Sequence, residues 1–162
     1  MKFIGKNQIS EREINILYVP SLDNYLLPET LTPYFGVFVA CDARQITNNS
    51  ITELADNLLT KGAVYFSTWG QDCERVNDLF DSAIIEKYPD ETQQSVRMTT
   101  WHADKSLDEA LWFFLNCAFP AEDYEDECHT DLIIVIENEI WSNQIEVRVM
   151  AQDGLNKAVV GD

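Results

Sequence analysis

Between Tyr34 and Glu137 the chain alternates short apolar runs with longer stretches in which apolar residues return every three or four positions. Phe35 to Cys41 is a continuous apolar run, the pattern of a strand buried on both faces. Ile51, Leu54, Ala55, Leu58 and Leu59 then follow at helical spacing. Ser50 and Glu53 are placed as a capping box, and Gly62 stands where a left-handed residue ends a helix. The cycle repeats with a strand over Ala63 to Trp69 and a helix over 73–87, carrying Val76, Leu79, Phe80 and Ala83. Asp72 is read as the N-cap of that helix. A third strand, Ser95 to Trp101, leads to a second capping box, Ser106 and Glu109, and an apolar helix over 107–119. Leu132 to Ile136 is the fourth strand.

Successive strand–helix–strand units imply a parallel sheet covered by helices. The expected fold is α/β: an open, mostly parallel sheet of about four strands with helices on both faces, Rossmann-like or flavodoxin-like in its three layers. The chain reads as one domain over 1–162. Residues 1–33 form an irregular N-terminal segment, broken by Pro20, Pro28 and Pro33, in which Ile14 to Val19 is an additional strand candidate. Residues 34–137 are the repeating core. In the extension, 138–162, Ile145, Val147 and Val149 alternate with polar residues, which predicts a short edge strand.

Charge narrows the partners. The formal net charge is -17, from 28 acidic and 11 basic side chains among 162 residues. Nucleic-acid affinity comes largely from Lys and Arg neutralising phosphates, so nucleic acid is excluded as a partner. No segment approaches the length of a membrane span and the start lacks a signal-peptide pattern, so a soluble, cytoplasmic protein is expected. Cys41, Cys73, Cys117 and Cys128 have no C-x-x-C spacing and are expected as free thiols. Six carboxylates and no Lys or Arg fall between Ala121 and Asp131. A solvated loop accounts for them; the alternative is a contact surface for a basic protein. The same composition leaves room for a homodimer formed through the terminal edge strand.

Ligands of open parallel sheets bind outside the carboxyl ends of the strands. Those ends deliver Cys41 and Asp42, then Trp69 to Cys73, then Trp101, His102 and Asp104, and finally Glu137. Cys73 is expected as the first residue of its helix, where the dipole favours a thiolate, with His102 near enough to exchange a proton. Cys73, His102 and Asp72 are therefore the catalytic candidates; Asp42, Trp69, Trp101, Asp104 and Glu137 are the ligand-binding candidates. Packing explains the same residues: a helix-start cysteine fills a core, a loop histidine bonds a neighbour, and Trp69 and Trp101 cover the sheet end. A mixed metal site of Asp42, Asp72, His102 and Glu137 has no supporting local spacing. Phosphate-cradling loops and the serine-hydrolase elbow are absent from the sequence, so no cofactor is expected.

Trp69-Gly70-Gln71-Asp72-Cys73, then Thr99-Thr100-Trp101-His102, then the apolar Leu111-Trp112-Phe113-Phe114, resembles a family of small uncharacterised bacterial proteins carrying W-G-x-D-C and T-T-W-H. The resemblance covers residues 36 to 137 and departs after Cys73, at Glu74-Arg75-Val76. It implies no reaction, and adds weight to Asp72, Cys73, Trp101 and His102 as a site. Two functions follow as expectations: a small-molecule or thiol/acid-base site at the strand ends, or an acidic inhibitor- or immunity-type module that binds a basic partner.

Overall fold

The computed structural model describes residues 1–29 and 31–160. The strands are β1 (Lys2–Lys6), β2 (Glu13–Val19), β3 (Tyr34–Ala40), β4 (Ala63–Trp69), β5 (Met98–Trp101) and β6 (Cys128–Ile136). They form one six-stranded sheet in the order β1-β2-β6-β3-β4-β5. Every pairing is parallel except that of β1 with β2. The sequence leads to about four strands; the described residues form six, because the N-terminal segment adds an antiparallel pair. Pro20 does not break that pair, since it falls just after β2. Thr30 of the expected irregular segment, and residues 161 and 162 of the expected extension, lie outside the described residues.

The helices are α1 (Asn48–Lys61), α2 (Cys73–Lys87), α3 (Leu107–Cys117), α4 (Glu139–Met150) and α5 (Gln152–Val160). Alternation along a strand sends Val37 and Val39 to one face of the sheet and Phe38 and Ala40 to the other. The first face meets Leu54, Leu58, Val76 and Phe80 of α1 and α2. The second meets Leu111 and Phe114 of α3 and Ile145 and Val149 of α4. Central strands need apolar residues at every position for this reason, and β3 has them.

Local signals and the elements they mark agree in part. The Ser106–Glu109 capping box forms with both hydrogen bonds in place. The expected box at Ser50 does not: α1 starts earlier, and Thr47 is the cap, accepting from the Ser50 amide. The predicted C-terminal edge strand is helix α4, capped by Asn138, whose side chain accepts from the Trp141 amide. Ile145 and Val149 are four apart, so a helix buries both on the sheet while Val147 turns outward. The Ile-x-Val-x-Val pattern fits both periods, and the sheet face left bare beside β1 and β2 selects the helix.

Gly62 and Gly70 earn their places by space. Gly62 has φ +108 and a Cβ there would sit 2.1 Å from the Pro33 carbonyl oxygen. Gly70 has φ +120, and a Cβ would meet the Cys41 carbonyl oxygen at 1.9 Å. Among the described residues no helix is long and apolar enough to cross a membrane.

Candidate functional site

Parallel pairing of β3, β4, β5 and β6 brings their carboxyl ends to one edge of the sheet. Cys128 and His129, at the start of β6, lie at the other edge. At the carboxyl edge a cavity of about 300 Å³ opens over β4 and β5. The loop after β4 gives it Gly70, Gln71 and Asp72, and the start of α2 gives Cys73 and Glu74. The loop after β5 gives His102, Ala103, Asp104 and Lys105, and Trp69 and Trp141 form its aromatic wall.

Asp72 occupies the N-cap position of α2 in the left-handed region, φ +62, and its side chain makes no capping hydrogen bond. It pairs instead with Arg75 at 2.6 Å. Arg75 also donates to Asn48 Oδ1 at 2.6 Å, to the Ile46 carbonyl at 3.1 Å and to the Ala43 carbonyl. One guanidinium thus ties the loop after β3 to the start of α2. The sequence pattern did not single out Arg75, because its partners lie about thirty positions away in the chain.

Cys73 opens α2 as expected, but it is only 1% exposed. Burial pushes its thiol up, and Glu74 and Asp104 add to the rise against backbone amides that hold it down, that of His102 among them. The His102 ring points elsewhere: Nε2 lies 3.0 Å from Ser67 Oγ and the ring packs on Phe113 with centroids 4.9 Å apart. Ser67 and Thr68 face opposite sides of β4, and Thr68 Oγ1 donates to the Cys73 carbonyl. The imidazole therefore sits on the α3 side of the sheet while Cys73 starts the helix on the other side. Burial, and then Lys105, lower the His102 pKa, favouring a neutral ring.

The remaining candidates divide. Trp69 and Asp104 line the cavity; Asp42, Trp101 and Glu137 do not. Asp42 is held by Arg44 at 2.6 Å, and that contact lowers its pKa. Trp101 pairs across the sheet with Thr68, one residue out of step with Trp69. A one-residue offset reverses the face, so the two tryptophans are not equivalent, and Trp101 is 48% exposed at the sheet edge. Glu137 adopts φ +58, and its amide donates to the Val19 carbonyl at 2.8 Å. Trp141, like Arg75, is not singled out by the sequence pattern. It sits in the first turn of α4 and meets Trp69 edge-on, centroids 4.8 Å apart, although β3 separates β4, which ends in Trp69, from β6, which leads into α4. The Trp69 indole N–H donates to the Lys105 carbonyl at 2.8 Å, which fixes that ring. The edge strand expected from Ile145, Val147 and Val149 hides this contact.

Among the described residues no three His, Cys, Asp or Glu side chains gather as a metal-binding group. All four cysteines are free; Cys41, Cys73 and Cys128 are buried and Cys117 is exposed. Burial pushes the Cys41 thiol up to about 12.

A family described as Domain of unknown function (DUF7684) matches residues 14–151, and the chain belongs to it. No curated protein and no solved structure matches the chain.

Proposed function

We propose that this member of an uncharacterised family works through a small-molecule-binding site at the carboxyl ends of β4 and β5. The observation that supports it is the cavity of about 300 Å³ at that edge, whose lining includes Asp72, Cys73, His102, Trp69 and Asp104. Its volume is at the lower end for ligand sites, and two tryptophans stand in it among polar and charged groups. Binding is favoured over thiol chemistry. A catalytic Cys73 needs access and a stabilised thiolate; this one is buried, its thiol is pushed up, and the neighbouring imidazole bonds Ser67. The sheet with helices packed on both faces fits a doubly wound, Rossmann- or flavodoxin-like domain over 1–162, acting in the cytoplasm with its thiols reduced.

The test is a fragment screen read by thermal shift and tryptophan fluorescence, run on the wild type and on Ala103→Trp. Ala103 is exposed at the cavity lining, so a large ring there fills the space without disturbing the core. Ligands that stabilise the wild type and lose their effect in Ala103→Trp are expected. If no ligand distinguishes the two proteins, the site reading fails.

A second reading rests on a different surface. Glu122, Asp123, Glu125, Asp126 and Glu127 are all exposed at the opposite edge of the sheet. That face suits a basic protein partner. Binding of a lysine-rich peptide that weakens with salt, and is lost when these five become Gln or Asn, would favour it; indifference to the five substitutions would remove it.

A further inference from the structure

We infer that the cavity beside Trp69 and Trp141 takes a small organic cation, an alkylated or primary ammonium compound; this rests on the binding-site reading above. Three features converge. The first is the aromatic wall. Trp69 and Trp141 both line the cavity and meet edge to face, and the Trp69 ring is held by its hydrogen bond to the Lys105 carbonyl. Indole faces attract cations through their quadrupole, most strongly where water is partly excluded.

The second is local charge. Asp72, Glu74 and Asp104 line the cavity against a single basic group, Lys105. Asp72 is already neutralised by Arg75. Glu74 and Asp104 make no ion pair among the described residues, so the lining remains negative when the Asp72 pair is set aside. The third is the field of the whole chain, with net charge -17, which concentrates cations at the surface and repels anions. The start of α2 at the cavity favours negative charge, and Asp72 and Glu74 already supply it there. An organic cation is preferred to a metal ion because the aromatic wall rewards a large, weakly hydrated charge and the carboxylates do not gather as a ligand set.

The size of the space suits a ligand with a trimethylammonium head and a short tail. Titrations of choline, tetramethylammonium and benzyltrimethylammonium, followed by tryptophan fluorescence and calorimetry, should show saturable binding. The neutral isostere 3,3-dimethylbutanol should bind at least about tenfold more weakly than choline. Glu74→Gln with Asp104→Asn should weaken the ammonium probes several-fold while the protein stays folded with a cooperative melt, since both side chains are exposed. Trp141→Phe should weaken them while keeping a packed ring against Trp69. Equal binding of choline and its neutral isostere, or binding of inorganic phosphate in their place, overturns the cation and leaves the pocket standing. If no ammonium probe binds while other ligands are blocked by Ala103→Trp, the cation is again overturned alone. If nothing binds at all, both readings fall.

Discussion

Arg12, just before β2, and Asp131 of β6 pair at 2.8 Å, 6% and 1% exposed at their side chains. Arg12 also donates to the Ala118 carbonyl at 3.0 Å, whereas Asp131 Oδ2 has no hydrogen-bond partner among the described residues. Gly36 makes room for the pair: a Cβ there would lie 2.8 Å from Asp131 Oδ1. Burial pushes the Asp131 carboxyl up to about 6, against the pull of Arg12. A folded-state value above the unfolded one means the native state binds the proton more tightly. Its contribution is therefore complete below about pH 4 and is lost as pH rises through about 6. Urea titrations should show the wild type losing stability relative to Asp131→Asn across that window; parallel pH profiles would contradict it. Arg12→Met strands a buried carboxylate and should cost about 3–5 kcal/mol, more as pH rises. Cysteine reactivity offers a second check at this scale. Iodoacetamide should label exposed Cys117 first in the native protein, with Cys73 and Cys41 labelled only on unfolding. Fast labelling of Cys73 would restore the thiol as a chemical group.

At the scale of elements, α4 is the informative one. It buries Ile145 and Val149, both 0% exposed, while Val147 is 67% exposed. Ile145→Asp should abolish stable folding, because a lone carboxylate would be buried against the sheet. Val147→Asp should change stability by no more than about 0.5 kcal/mol. In a strand, 145, 147 and 149 would share one face and the two substitutions would be equally harmful; circular dichroism melts of both settle the matter. The helix starts offer a finer comparison. Thr47→Ala and Ser106→Ala should each cost about 1 kcal/mol, since each side chain satisfies a first-turn amide. Ser50→Ala, inside α1, should cost less.

For the molecule as a whole, the excess of carboxylates sets the response to salt. A compact chain of charge -17 repels itself. Raising ionic strength from about 0.01 M to about 0.15 M shortens the Debye length from about 30 Å to about 8 Å. The thermal midpoint should rise over that range in sodium chloride. A falling midpoint would mean that the surface ion pairs Arg44–Asp42 and Arg148–Asp108 outweigh the general repulsion. Architecture at this scale also separates two surfaces: the cavity at the carboxyl edge of the sheet, and the exposed acidic stretch Glu122 to Glu127 at the other.

The strand–helix alternation from Tyr34 to Ile136 was legible because burial on both faces demands unbroken apolar runs, and α1 and α2 demand a return every three or four residues. Parallel order by itself sends Cys73, His102, Asp104 and Trp69 to one edge. Directions of side chains were not legible. Whether His102 meets Cys73 or Ser67 depends on a one-residue register between β4 and β5, which no local pattern encodes. Arg75 and Arg12 found partners far away in the chain, and a charge alone names no partner. The period of Ile145, Val147 and Val149 was ambiguous until the bare sheet face beside β1 and β2 chose the helix, and with it brought Trp141 to Trp69. Local sequence determined the repeating elements through apolar spacing; tertiary packing decided which faces and distant residues met, because those contacts are set by the space the other elements leave.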